Sequence, residues 1–337
     1  MSFFNYEIPS VLWWLLGGLC FVGTAVFTFN RGMTFFVLKR LVETIFVVWV
    51  IATLTFLMMR ILPGGPFDSE KALPAEIMAN LARKYHLSDS LFKQYCDYIW
   101  GLLHLDFGVS YKYIGRDISS IIAESLPNSI QLGVYALVVS YVLGITMGVV
   151  AGWKRGSWLD FSAMFLAISG VSLPSFLMAP IFIIVFSYWL GWFEPALWEG
   201  PTYYVLPMIV LGIRPAAVIA RLTRASVLDV IHSDYIRTAK AKGLGMRAIL
   251  FKHVLRNSLI PVLTLSGPLA AAILTGSFVI EQIFAVPGIA KHLVLSVTNR
   301  DYPLILGTTL LFSALLVVAN LVTDILIAVV DPRVKMQ

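Results

Sequence analysis

The hydrophobic positions of this chain run in long unbroken blocks instead of alternating with polar positions. A helix needs about 20 apolar residues to cross a bilayer, and blocks near that length fall at about 11–29, 41–60, 129–152, 161–190, 203–222, 259–284 and 303–330. The composition agrees, because 58% hydrophobic residues, 13% charged residues and a mean hydropathy of +0.83 exclude a soluble domain. The pattern therefore predicts an all-α, polytopic helical membrane protein.

Basic residues separate the two sides of the membrane. Fifteen lysines and arginines occupy every second connection between the blocks, namely Arg31, Lys39, Arg40, Lys154, Arg155, the eight from Arg221 to Arg256, Arg333 and Lys335. Because cytoplasmic loops carry the excess of Lys and Arg, these connections and the C-terminus are predicted to be cytoplasmic. The long loop 61–128 mixes acidic and basic residues and is predicted to lie outside. The net charge of +6 follows from this topology, so no nucleic acid is expected.

The first apolar block, 11–29, has two interpretations. No basic residue precedes it, which disfavours a signal peptide. We expect an extra N-terminal transmembrane helix within a 1–32 extension, with the extreme N-terminus outside. The alternative is that the working protein begins at Met33, where a basic-then-apolar entry starts.

Proline and glycine predict features inside the bundle. Pro174 divides the 161–190 block, and Pro261 and Pro268 fall early in 259–284, so kinks are expected there. Gly144, Gly148 and Gly152 recur every four residues, a spacing that lets another helix approach closely. That helix belongs either to this chain or to a partner subunit.

Three ionisable residues lie in or near the hydrocarbon zone: Arg214, Glu281 and Asp324. Each should face protein or water, because exposing a charge to lipid is costly. One hypothesis is that they line a translocation path, where Arg214 attracts a substrate carboxylate. The alternative is that Arg214 pairs internally with Asp324, Glu281 or helix carbonyls.

The segment Ser233–Pro261, which we call the basic island, is a polar stretch between two apolar blocks. Its cations are Arg237, Lys240, Lys242, Arg247, Lys252 and Arg256, and Asp234 is its only acid. A cytoplasmic loop of this kind is typical of a docking site for another protein. Contact with anionic lipid and simple topology remain alternatives.

No recognised catalytic motif is found in the chain. There is no G-x-x-x-x-G-K-[ST], H-E-x-x-H or G-x-S-x-G, the five histidines are scattered, and Cys20 and Cys96 are predicted to lie in different environments. Neither an active site, a metal site nor a disulfide is expected. Any uphill transport must draw energy from a partner or an ion gradient.

Several stretches carry a resemblance to a known family. They are 60–66 (RILPGGP), 73–89, 105–110 (LDFGVS), the basic island, 299–303 (NRDYP) and 331–333 (DPR). Together and in this order they resemble the permease subunits of ABC importers of the peptide type, and most of all the B-type subunit of oligopeptide importers. The resemblance covers 33–337 and implies a six-helix ABC importer permease core.

In that family the basic island lies in a coupling loop, here 223–258, which is called the EAA loop and docks in a cleft of a cytoplasmic ATPase. The resemblance implies a helix–turn–helix whose turn is made by Gly243, with Ala239 and Ala241 small enough to let the partner approach. Arg237 stands where glutamate is usual, and Pro261 comes later than in the general pattern. The residues that it implies for coupling are Asp234, Tyr235, Arg237, Thr238, Ala239, Lys240, Ala241, Gly243 and His253.

The resemblance also implies the partners. They are a homologous second permease, two ABC ATPases that bind ATP and Mg²⁺, and an extracytoplasmic peptide-binding protein; the chain itself holds no cofactor and is no enzyme. The expected location is the bacterial inner membrane. The expected cargo is oligopeptides, with dipeptides, nickel chelates or other small solutes as alternatives. The loop 61–128 is either part of the landing surface for the binding protein or a scaffold.

Two unrelated functions fit less well. A stand-alone secondary transporter or channel predicts relay residues within the membrane and no docking loop. An intramembrane enzyme requires a catalytic dyad within the spans, and the sequence offers none.

Overall fold

The structure is a computed structural model that describes residues 31–61, 80, 88–113 and 115–330. These residues are almost entirely helical, and their one β-type contact is an isolated bridge between Val109 and Asp117. The helices, numbered in chain order, are α1 Arg31–Ile61, α2 Leu91–Leu103, α3 Ile118–Trp153, α4 Trp158–Ser172, α5 Ser175–Phe182, α6 Pro201–Ile231, α7 Asp234–Ala241, α8 Met246–Ala248, α9 Leu255–Ser258, α10 Ile260–Leu274, α11 Phe278–Ile283, α12 Ala290–Asn299 and α13 Tyr302–Val330. Two π-helical segments, Ile183–Trp189 and Ile249–Val254, continue α5 and α8.

Six of the seven predicted spans fall on described residues, and each has its helix. Five helices are long and apolar enough to cross a membrane: Leu38–Ile61, Ile118–Trp153, Pro201–Ile231, Ile260–Ile283 and Tyr302–Ile325. A sixth span is formed if the bent pair Trp158–Ser172 and Ser175–Trp189 crosses as one. The block 11–29 lies outside the described residues, so the extra N-terminal helix stays a prediction.

The predicted break at Pro174 is confirmed. Helix α4 ends at Ser172, and α5 with its π-helical continuation sets off at 110° to it. Leu173 is extended (φ −86°, ψ 123°), as expected of a residue whose α conformation is disfavoured by a following proline. The break therefore has a local cause in the sequence.

The helices also break just before Pro261, because Leu259 separates α9 from α10, whereas a kink at Pro268 stays a prediction. Pro261 lies in the first turn of α10, where a helix does not use the missing N–H, and Pro268 lies within the same helix, which continues to Leu274. A further interruption follows α10, where Gly276 adopts φ +75° and α11 begins after Ser277. Glycine tolerates this left-handed conformation, so the glycine, not a proline, marks where the helix ends.

The glycines of α3 pack against a helix of this same chain. A Cβ added at Gly144, Gly148 or Gly152 would lie 2.7, 2.5 or 2.7 Å from the nearest atom of α6. Larger residues at these positions would force the two backbones apart. The three glycines therefore form a close contact between two helices of this chain, which is the first of the two alternatives left open by the sequence.

The chain divides into two compact units. One unit comprises the described residues between 38 and 127 together with 288–314, and the other comprises mainly 128–287 and 315–330. The second unit has a buried core contributed by Leu132, Met178, Leu206, Val210, Ile280 and Phe284. The second unit therefore has an apolar interior of its own.

In the first unit, two of the stretches that carried the resemblance contact each other. Asp301 is fully buried, and its carboxylate accepts hydrogen bonds from the Ser110 hydroxyl and from the Tyr111 backbone N–H, the latter at 3.1 Å. A Cβ added at Gly307 would lie 2.8 Å from Ile118 and 3.5 Å from Phe107. The LDFGVS and NRDYP stretches are therefore hydrogen-bonded to each other at the start of α13.

Candidate docking loop and charged residues of the spans

The basic island begins with the short helix α7. Asp234 lies in its first turn and Lys240 in its last, so both charges complement the helix dipole. The helix ends in a Schellman motif: Gly243 N–H donates to Lys240 O at 3.0 Å and Leu244 N–H donates to Ala239 O at 3.3 Å. Gly243 has φ +74°, so the predicted glycine turn is confirmed.

The second arm of the island runs from Met246 to Ser258 and folds back against α7. It comprises α8, the π-helical segment Ile249–Val254 and α9. The Asn257 side-chain amide donates to the Tyr235 hydroxyl at 2.8 Å, which ties this arm to α7. The island therefore has the helix–turn–helix shape that the resemblance implied.

An apolar cluster fixes the island to α6. Ile236 and Ala239 of α7, together with Ile249 and Val254 of the second arm, are buried around Val227. Ala239 is only 5% exposed and faces this cluster. It is therefore not accessible to a partner, contrary to what the resemblance implied. Ile236 and Ala239 are three residues apart and therefore share one face of α7, and packing around Val227 buries that face.

The outer face of the island combines charge with apolar surface. Asp234, Tyr235, Arg237, Thr238, Lys240 and Ala241 are exposed, whereas His253 is half-buried. Arg237 lies 3.5 Å from Asp234, but both side chains are at least three-quarters exposed, so this pair stabilises the helix little and leaves the guanidinium accessible. Met246 and Phe251 add exposed apolar side chains at 55% and 69%.

Reasoning from the sequence missed this apolar component. Met246 and Phe251 stand among cations in a polar segment, and their burial could not be judged without the fold. Methionine, phenylalanine and arginine are enriched at protein interfaces, so the exposed Met246 and Phe251 beside the arginines of the island are typical of one. The face is therefore suited to binding a protein.

An ion pair with a buried carboxylate, which reasoning from the sequence also missed, joins α4 to α6 near the island. Arg224 donates to Asp160 through Nε at 2.6 Å and through Nη2 at 2.9 Å, and the Gly156 N–H donates to the same carboxylate at 3.0 Å. Asp160 is 6% exposed. The signal in the sequence was a lone acid at the start of an apolar block, which requires a partner.

The three ionisable residues proposed for a path are not brought together. The Glu281 carboxylate is 1% exposed and accepts a hydrogen bond from the Ser129 hydroxyl at 2.6 Å, so it is buried between helices and does not line an open surface. Asp324 is half-buried on α13. Neither carboxylate forms an ion pair with Arg214 among the described residues.

Arg214 differs from the other two residues. It lies midway along α6, its side chain is exposed, and no hydrogen-bond or ion-pair partner contacts it within the described part of the chain. The internal pairing with Glu281 or Asp324 that the sequence left open is absent. An exposed guanidinium at the centre of a span must meet water, a substrate or another protein chain.

Comparison with known proteins decides the family. A sequence profile described as the binding-protein-dependent transport system inner membrane component matches residues 142–336. The oligopeptide transport system permease protein of Haemophilus influenzae is 43% identical over 302 residues, which cover 89% of this chain and 99% of that protein. The chain belongs to this permease family.

Two further comparisons add a second relative and a similar fold. The dipeptide transport system permease protein of Bacillus subtilis is 42% identical over 304 residues, 90% of this chain and 99% of that protein. A chain of the MetNI methionine ABC transporter has a similar fold, with a TM-score of 0.51 at 16% identity over 63% of this chain and 97% of its own length. This permease is therefore a multi-pass inner-membrane subunit and not an enzyme; ATP hydrolysis belongs to separate subunits.

Proposed function

We propose that this permease is one of two related membrane subunits of an ATP-driven importer that carries oligopeptides. The observation that carries the proposal is the identity of 42–43%, over about nine-tenths of the chain, with permeases named for peptide transport. Dipeptides are the second candidate cargo, because the Bacillus subtilis relative is named for them.

The partners follow from this role. They are a homologous second permease, two cytoplasmic ABC ATPases that bind ATP and Mg²⁺, and an extracytoplasmic binding protein that delivers the peptide. The basic island is the ATPase contact in this proposal. Its exposed cations and the apolar Met246 and Phe251 support that role, and the apolar cluster around Val227 gives a rigid connection to α6.

The spans have a defined orientation in this proposal. The island and the C-terminus lie in the cytoplasm, because the lysines and arginines concentrate on that side of the spans. The α4–α6 ion pair between Asp160 and Arg224 then lies toward the cytoplasmic ends of the spans and holds α6 where it leads into the island. A movement of the ATPase would be transmitted to α7 and, through the apolar cluster around Val227, to α6.

Within the membrane, we assign Arg214 to the translocation path. Its exposed guanidinium, midway along α6, is suited to attract the terminal carboxylate of a peptide. Glu281 is not assigned to the path in this conformation, because its carboxylate is buried against Ser129.

Affinity purification in mild detergent tests the importer proposal. The tagged chain should bring with it a second permease and ABC ATPase subunits, identified by mass spectrometry. ATP hydrolysis by the reconstituted complex should rise when the binding protein and a peptide are both present, and a series of peptide lengths would distinguish the two cargoes. A chain that purifies alone and supports uptake driven by an ion gradient would overturn the proposal.

A further inference from the structure

The short helix α2 packs against the first span. The Tyr95 hydroxyl lies 2.8 Å from the Thr53 hydroxyl, within hydrogen-bonding distance. The rings of Tyr95 and Tyr98 lie 5.5 and 5.7 Å from the ring of Phe56. Helix α2 is thus attached to the side of α1.

These contacts fix the depth of α2. The first span ends at Ile61, and Thr53 and Phe56 precede that end by eight and five residues. At about 1.5 Å per residue, they lie about 12 and 8 Å below it. The inward side of α2 therefore reaches the level of the hydrocarbon, since the span Leu38–Ile61 is little longer than a bilayer requires.

Three different faces run along α2. The inward face carries Tyr95, Tyr98 and Leu102, which are half-buried, and burial raises the pKa of the Tyr98 hydroxyl. A polar face carries Lys93 and Asp97 and is continued by His104, the C-cap residue of α2. A third, apolar face carries Phe92, Cys96, Trp100 and Leu103.

The apolar face has nothing covering it among the described residues. Its members are spaced i, i+4, i+8 and i+11, so they form one stripe. Phe92, Trp100 and Leu103 are 77%, 67% and 72% exposed. Leu57, Met58 and Ile61 of the adjoining span are also exposed, at 48%, 64% and 80%.

We propose that α2 is an interfacial helix, with this apolar face inserted among the acyl chains of the leaflet at the Ile61 end of α1. Lipid is the occupant because α2 is held at hydrocarbon depth, beside a span that exposes apolar residues at the same level. Tryptophan prefers the headgroup boundary, and the polar face gives Lys93 and Asp97 access to headgroups and water. The assignment rests on contacts within this chain and stands independently of the cargo.

One consequence concerns the long loop 61–128. With one face of α2 on α1 and one in lipid, only the polar face of Lys93, Asp97 and His104 is left for a protein partner. Any landing surface for a binding protein must therefore use this narrow face or other parts of the loop.

Cys96 provides the test, because it is exposed in the middle of the stripe and the only other cysteine is Cys20. A nitroxide label is attached to Cys96 in the Cys20→Ser chain, purified as the complex it forms and reconstituted into nanodiscs of phosphatidylethanolamine and phosphatidylglycerol. Power saturation then compares collisions with oxygen, which concentrates in acyl chains, and with a soluble nickel chelate. The cysteine-less Cys20→Ser/Cys96→Ser chain gives the background from partner subunits.

Two reference positions calibrate the result in the cysteine-less background. Met58→Cys reports the lipid-facing side of α1, and Asp97→Cys reports the polar face of α2. We expect oxygen accessibility to exceed chelate accessibility at Cys96, as at Met58, and the ratio to reverse at Asp97. Chelate accessibility at Cys96 equal to that at Asp97 would overturn the proposal in favour of water, and low accessibility to both reagents would overturn it in favour of a protein partner.

Discussion

At the scale of single residues, the charges of this permease divide by whether the fold provides a partner. Asp160 is buried and accepts hydrogen bonds from Nε and Nη2 of Arg224. Glu281 is buried and accepts a hydrogen bond from the Ser129 hydroxyl. Arg214 is exposed at the middle of a span with no partner in the described part of the chain. The first two are therefore structural, and the third is available for function.

Breaking the Asp160–Arg224 pair should destabilise the protein. We expect Asp160→Asn to lower the free energy of unfolding by about 1.5–3 kcal/mol, the range for hydrogen bonds to a charged group, because the Arg224 side chain that loses its partner is 29% exposed and can reach water. Thermal unfolding in detergent measures the change. Glu124→Gln, which removes an exposed pair with Arg116, is the control and should change stability by less than about 1 kcal/mol. Adding Arg224→Gln to Asp160→Asn should recover part of the loss, and an unchanged double variant would contradict the ion-pair explanation.

Replacing Arg214 should change transport selectively. If its guanidinium binds a peptide carboxylate, Arg214→Ala should raise the KM for uptake about tenfold or more, since a hydrogen bond to a charged group contributes about 1.5–3 kcal/mol. Arg214→Lys should keep part of the affinity because it keeps the charge. The KM for a C-terminally amidated peptide should change far less in Arg214→Ala, because this peptide has no terminal carboxylate. Unchanged rate and preference in Arg214→Ala would exclude the path role.

At the scale of elements, the basic island is a helix–turn–helix whose geometry depends on one backbone conformation. The Schellman motif at Gly243 turns the chain between α7 and the second arm, and Tyr235 and Asn257 link the two arms. The six-residue π-helical segment Ile249–Val254 lies in the second arm. Such segments often occur at functional sites, which agrees with a role in transmission.

Gly243 should be required for coupling. A β-branched residue is strained at φ +74°, at a cost of about 1–2 kcal/mol or more, so Gly243→Val should distort the turn. We expect ATP hydrolysis to continue while peptide uptake falls, measured in the same proteoliposomes. Gly245→Ala is the matched control, because Gly245 has ordinary backbone angles and open space around its Cα. Normal uptake by Gly243→Val would count against the transmission role.

At the scale of the whole molecule, the described residues provide five spans, or six with the bent pair, in two compact units. The lysines and arginines are concentrated on the island and on alternate connections, so the charge distribution itself predicts an orientation.

Reporter fusions should reveal that orientation. A fluorescent protein fused to the C-terminus should fold and fluoresce, because that end is predicted to be cytoplasmic. Alkaline phosphatase inserted in the 191–200 loop should be active, whereas at the C-terminus it should be inactive. The opposite pattern would reverse the proposed side of the island and remove its access to a cytoplasmic ATPase.

The sequence alone determined the features with local causes. Apolar block length specified the spans, Pro174 specified the break, and Gly243 specified the turn of the island, because hydropathy and backbone sterics act over a few residues. Contacts distant in the sequence were decided only by the tertiary structure. Asp160 meets Arg224 sixty-four residues away and Ser129 meets Glu281 across 152. The same is true of which face of α7 is buried: it was the packing around Val227 that turned Ala239 inward and left Arg237 and Lys240 outside.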